Sequence, residues 1–75
     1  MKLTRSTLQL EVDGRGVTIA GEAYLPGHGS PDFLVYADTI RSWDDGTPVS
    51  ADERFKIIRT VTQEAEREGL NVVIE

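Results

Sequence analysis

The stretch SADERFKIIRTVTQEAEREG, residues 50–69, reads as one amphipathic helix, and the rest of the chain is organised around it. Ser50 is a good N-cap, because its hydroxyl can accept from the free N–H groups of the first turn. Glu53 stands three residues later, where its carboxylate can reach back to the Ser50 N–H, so Ser50-Ala51-Asp52-Glu53 is a capping box. Asp52 and Glu53 also put negative charge at the positive end of the helix dipole. Val49, just ahead of the cap, is placed to fold back on Phe55 as a loose hydrophobic staple. Phe55, Ile58, Val61 or Thr62, and Ala65 recur at three- and four-residue steps and form one apolar stripe, which Ile57 widens. Gly69 can take the left-handed conformation that ends a helix, with Leu70 packing back on the last turn. Burial of Phe55 and Ile58 is worth ~2–3 kcal/mol each. On this reading Phe55→Ala costs about 3–5 kcal/mol.

Beyond the helix, Leu70, Val72 and Ile74 form one face of a short last strand, with Asn71 and Val73 on the other. Ahead of it, Asp32 to Ala37 is a strand around Phe33, Leu34, Val35 and Tyr36. Its apolar run lacks clean alternation, so both of its faces are expected to be covered. Asp38-Thr39 can start a single helical turn that puts Ile40 and Trp43 on one side. Asp44-Asp45-Gly46-Thr47-Pro48 is a turn-rich link into the helix. Near the start, Thr7 to Val12 alternates, with Leu8, Leu10 and Val12 on one side and Gln9, Glu11 and Asp13 on the other. Asp13-Gly14-Arg15-Gly16 is a turn in which both glycines supply positive φ, after which Val17 and Ile19 resume the alternation. Residues 7–24 are therefore a β-hairpin; whether its second strand runs through Gly21 is open, since an internal glycine often marks a bulge or bend. The expected fold is α+β: a four-stranded, mostly antiparallel sheet made of the hairpin, the third strand and the C-terminal strand, with one helix packed on one face. Parallel pairing of the last two strands through the helix would make a crossover.

Seventy-five residues make one domain, residues 1–75, with a thin core, since a chain of this size buries only about 60% of its unfolded surface. It has no cysteine, so neither a disulfide framework nor a thiolate metal site is available. No apolar run reaches the ~20 residues that span a bilayer. Met1-Lys2-Leu3-Thr4-Arg5 leads into polar residues rather than a signal core, which makes a cytoplasmic location the expectation. The formal net charge is −5. That sign argues against nucleic acid, whose binding depends on Lys and Arg meeting phosphates, and against an anionic membrane surface. It suits a basic protein partner.

Chemistry is sparse. The single histidine, His28, shares a Gly/Pro loop with Ser30 and Asp32, but three residues of one loop do not provide the rigid relay of a nucleophilic triad. Pro26-Gly27-His28-Gly29-Ser30 lacks the Lys-Ser/Thr ending of a phosphate loop. Asp44-Asp45-Gly46 lacks the alternating ligands and closing Glu of a calcium loop. No catalytic residue, cofactor or metal is expected.

Binding features are clearer. Trp43, the only tryptophan, either closes the end of the core or anchors an interface. Asp44, Asp45, Glu64 and Glu68 can form an acidic docking surface, or a solvated helix end and turn. Glu22 reads as a partly buried acid paired with Arg41 or Arg5, so that Glu22 and Arg41 support the shape of that surface. The edge strand Leu70 to Ile74 offers a route to a homodimer. A different reading places a small regulatory ligand between helix and sheet, in a cavity lined by Trp43 and Tyr36.

The order of these segments resembles a known family. A hairpin ending in Gly21-Glu22 is followed by a strand bearing Tyr36, then Ile40-Arg41-Ser42-Trp43 and a short acidic, proline-bearing link. A Ser-capped helix with Ile57-Ile58 comes next, and the chain closes in Glu68-Gly69-Leu70-Asn71-Val72-Val73-Ile74-Glu75. This is similar to immunity protein family 74 of bacterial polymorphic toxin systems, over nearly the whole chain; the Gly-Glu pair and the Ile-Arg-x-Trp segment are the specific parts. The resemblance implies a cytosolic, non-enzymatic antitoxin that binds and blocks a cognate toxin domain. The acidic balance would suit a toxin with a basic groove.

Overall fold

The computed structural model describes residues 1–24 and 31–75. The glycine-rich segment with His28 and Ser30 lies outside the described residues, and so does the reading of that segment as a loop. Five strands form one sheet in the order β1-β2-β3-β4-β5, one more strand than the sequence reading expects. They are β1 (Lys2–Leu3), β2 (Thr7–Val12), β3 (Arg15–Ala23), β4 (Phe33–Val35) and β5 (Val72–Ile74). The extra strand, β1, is two residues long and pairs antiparallel with β2 through Lys2↔Gln9 and Leu3↔Leu8. Two residues carry no readable periodicity.

The hairpin turn is tighter than the sequence reading has it. Asp13 (φ 53°) and Gly14 (φ 79°) are its two central residues, a type I′ geometry whose twist matches the flanking strands. Gly16 needs no positive φ; it lies inside β3, where a Cβ would come within 2.7 Å of Asp44 Oδ2. The shorter turn moves Arg15 into the strand opposite Val12, and so onto the same face. Gly21 is likewise a site of close approach rather than a bulge. It stands opposite Val35 in register, and a Cβ there would meet Leu34 O and the Phe33 ring at 2.3 Å.

Helix α1 (Ala51–Glu68) has the expected ends. Glu53 N–H donates to Ser50 Oγ at 3.1 Å and Ser50 N–H to Glu53 Oε1 at 2.9 Å. Gly69 closes the helix at φ 70°, ψ 25°, with Gly69 N–H on Glu66 O and Leu70 N–H on Ala65 O, a Schellman arrangement. The buried stripe is rotated from the expected one. Ile57, Val61 and Ala65 are buried and Ile58 is half-buried, whereas Phe55 is 74% exposed. Val49 packs against the core rather than on Phe55. Four-residue steps through Ile57, Val61 and Ala65 hold one side of the helix against the sheet; Phe55 is two residues from Ile57, about 200° round the axis.

α1 is the crossover between β4 and β5, which pair in parallel from Phe33↔Val72 to Val35↔Ile74; the other strand pairs are antiparallel. The registers define two faces. Leu8, Leu10, Val12, Val17, Ile19, Phe33 and Val35 point to the helix and form the core with Ile40, Trp43, Ile57 and Val61. Lys2, Gln9, Glu11, Thr18, Glu22, Leu34 and Val73 alternate to the opposite face, which α1 does not cover. The 3-10 turn Ala37–Thr39 and the link after it run on past β4 along β3. Thr39 Oγ1 accepts from Ala20 N–H at 3.1 Å and donates to Tyr36 O at 2.7 Å. Further on, Asp44 N–H donates to Gly16 O at 2.9 Å.

Candidate functional site

Trp43 is 4% exposed and belongs to the core. The Arg15 guanidinium lies over its ring, 4.2 Å from the centroid, a cation–π contact, and Arg15 Nη1 donates to Glu53 Oε2 at 2.9 Å. Glu53 thus holds the helix cap with one oxygen and the hairpin with the other. Its carboxyl pKa is lowered, first by the Ser50 N–H. The Trp43 indole N–H lies close enough to favour the charged carboxylate without completing a hydrogen bond of its own among the described residues. Lys56 pairs with Asp13 beside this cluster. A cavity of about 180 Å³ remains between Val12, Asp13, Arg15, Trp43, Glu53 and Lys56, smaller than the roughly 300 Å³ at which small-molecule sites begin. Tyr36 is not in its lining: its hydroxyl is bonded to Glu22 on the opposite face of the sheet. Trp43 and Tyr36 therefore share no pocket.

The uncovered face carries the second group. Tyr36 Oη donates to Glu22 Oε2 at 3.1 Å. The Tyr36 pKa is raised, chiefly by that hydrogen bond, then by burial of the hydroxyl and by the nearby charges of Glu22, Tyr24 and Glu75. Glu22 is exposed and its partner is this hydroxyl, not the Arg41 or Arg5 guanidinium that the sequence suggests. Arg41 turns back instead, its Nε donating to Asp38 O at 3.2 Å. At the hairpin end of the same face Asp44 Oδ1 accepts from Thr18 Oγ1 at 2.9 Å.

The remaining acids are dispersed. Asp45 Oδ1 accepts from Thr47 N–H at 2.9 Å, and hydrogen bonds from Thr47 lower its pKa. Glu64 pairs with Arg67 one turn on. Both line an open groove with Lys2, Glu11 and Asp44 where β1 gives out along β2. Glu68 is exposed at the helix end. The structure thus brings Asp44 and Glu64 to one groove and leaves Glu22 and Glu68 apart from it. Arg15 is the residue that sequence reasoning misses; the Asp-Gly pair at 13–14, read as a two-residue turn, is the signal that would have placed it beside Val12. Among the described residues no three His, Cys, Asp or Glu side chains are grouped to hold a metal ion, and no helix is long and apolar enough to cross a membrane.

These features define a class: a small two-layer α+β protein in which ion pairs fasten helix to hairpin and, among the described residues, the helix covers one face of the sheet only. The chain belongs to the Immunity protein 74 family, whose model matches residues 1–75, the whole of it. No curated protein and no solved structure matches it significantly.

Proposed function

We propose that this protein is a cytosolic antitoxin that binds the toxin domain of a polymorphic toxin and blocks it stoichiometrically, without chemistry of its own. The observation that carries the reading is the family membership across the full chain. The fold supports it physically. Glu53 pairs with Arg15, and Asp13 with Lys56, at the joint between hairpin and helix. A rigid platform of this kind suits binding by shape and charge, because preorganised surfaces lose little freedom on association. With a net charge of −5 the complementary toxin surface is basic, as in an enzyme that handles phosphate-bearing substrates.

The test asks whether the gene directly upstream encodes a toxin domain and co-expresses that domain with this chain. Cells carrying both are expected to grow, and the two proteins to co-purify as a complex. Growth arrest despite full expression of this chain, with no complex formed, would remove the antitoxin reading.

A further inference from the structure

We propose that the toxin domain docks on the uncovered face of the sheet over β3, β4 and β5, around Tyr24, Tyr36 and Val73 with Glu22 at their side, through an apolar patch ringed by lysine or arginine. The inference rests on the antitoxin reading and names the surface that performs it.

Two of the three exposed large apolar side chains among the described residues lie there. Among the described residues the exposed large apolar side chains are Tyr24 (38%), Val73 (41%) and Phe55 (74%). Val73 stands beside Leu34, itself nearly buried, and Leu34 beside Glu22; Tyr24, one residue past β3, continues the alternation from Glu22. Phe55 stands on the helix, between Arg54 and Lys56. Exposed apolar side chains contribute little to the fold, and where they gather on one face they mark contact surfaces. The group is also held in place: Tyr36 Oη is bonded to Glu22, and Tyr24 N–H donates to Asp32 O at 3.2 Å. Tyrosines, with few rotatable bonds, carry interface energy at low entropic cost.

Charge selects the occupant. On the strand positions of this face Glu11 and Glu22 outnumber Lys2, which stands opposite Gln9, and Asp44 folds onto it through Thr18. The helix is nearly balanced, with five carboxylates and four basic side chains between Ala51 and Glu68. The helix thus accounts for one of the five net negative charges, and the other four lie in the sheet, its turns and the link to the helix. A second copy of the chain would bring like charge to like, and a phosphate backbone would be repelled. A basic protein surface is the complement.

The experiment measures affinity for the upstream-encoded toxin domain, in a catalytically inactive form, by titration calorimetry. The unsubstituted chain is compared with Tyr24→Ala, Val73→Arg and Glu68→Lys, each checked by circular dichroism and thermal melting. Tyr24→Ala is expected to weaken binding about tenfold or more, and Val73→Arg, which adds repulsion to lost packing, about 100-fold. Glu68→Lys, on the helix, is expected to stay within about threefold. Should Val73→Arg fail to fold, Tyr24→Ala decides alone. Binding by folded Tyr24→Ala and Val73→Arg at parent affinity would overturn this surface and leave the antitoxin reading standing. Failure of the unsubstituted chain to bind would remove both.

Discussion

Ile57 and Phe55 are two positions apart and have opposite fates. Ile57 is fully buried among the strands, and Phe55 stands in solvent. Ile57→Ala is expected to cost about 2–5 kcal/mol, the range for emptying a filled core position. Phe55→Ala is expected to change stability by about 0.5 kcal/mol or less, as surface substitutions do. Urea unfolding of the two variants against the parent checks the assignment; a large loss from Phe55→Ala would return that ring to the core. Gly21 belongs to the same scale. A Phe33 ring and a backbone carbonyl already fill the space its Cβ would need, so the strand passes there only as glycine.

The helix and the hairpin are joined by Glu53, which caps one and grips the other. Folding lowers its pKa, and that of Asp45, below the ordinary carboxylate range. The unfolded chain therefore takes up protons first on acidification. These groups stabilise the fold above pH ~4, and that contribution is lost as pH falls through the folded-state values. Glu53→Gln is expected to lower the melting temperature at pH 7, and the gap to the parent is expected to narrow by pH ~3. A gap that stays constant with pH would mean the carboxylate charge has no part in the joint. Ser50→Ala removes the other half of the box at about 1 kcal/mol.

The molecule as a whole carries its charge outward, at −5, while its neutral core lies between sheet and helix. On the proposed antitoxin reading, association with a basic toxin surface is steered over long range, and steering is screened by salt with a Debye length of ~10 Å at 0.1 M. The association rate with the toxin domain is expected to fall by about tenfold or more between 0.05 and 0.5 M salt, with little change in the dissociation rate. Stopped-flow mixing at several salt concentrations measures both. A salt-independent association rate would mean that shape alone guides the encounter.

What the sequence by itself determined is what local rules encode. The Ser50 box and Gly69 stop fix the helix because each is a bond between near neighbours. The alternation of Leu8, Leu10 and Val12 fixes a strand because side chains of a pleat alternate. Asp13-Gly14 fixes a hairpin, and the segment order from Gly21-Glu22 to the closing strand carries the family. Tertiary structure alone decided which side of the helix meets the sheet, since Phe55 and Ile57 are both apolar and only the position of the strands chooses between them. It also decided that Glu22 bonds a tyrosine and that Arg15 covers Trp43. The partner of a long polar side chain depends on what packing brings within about 3 Å of it, and no spacing along the chain records that.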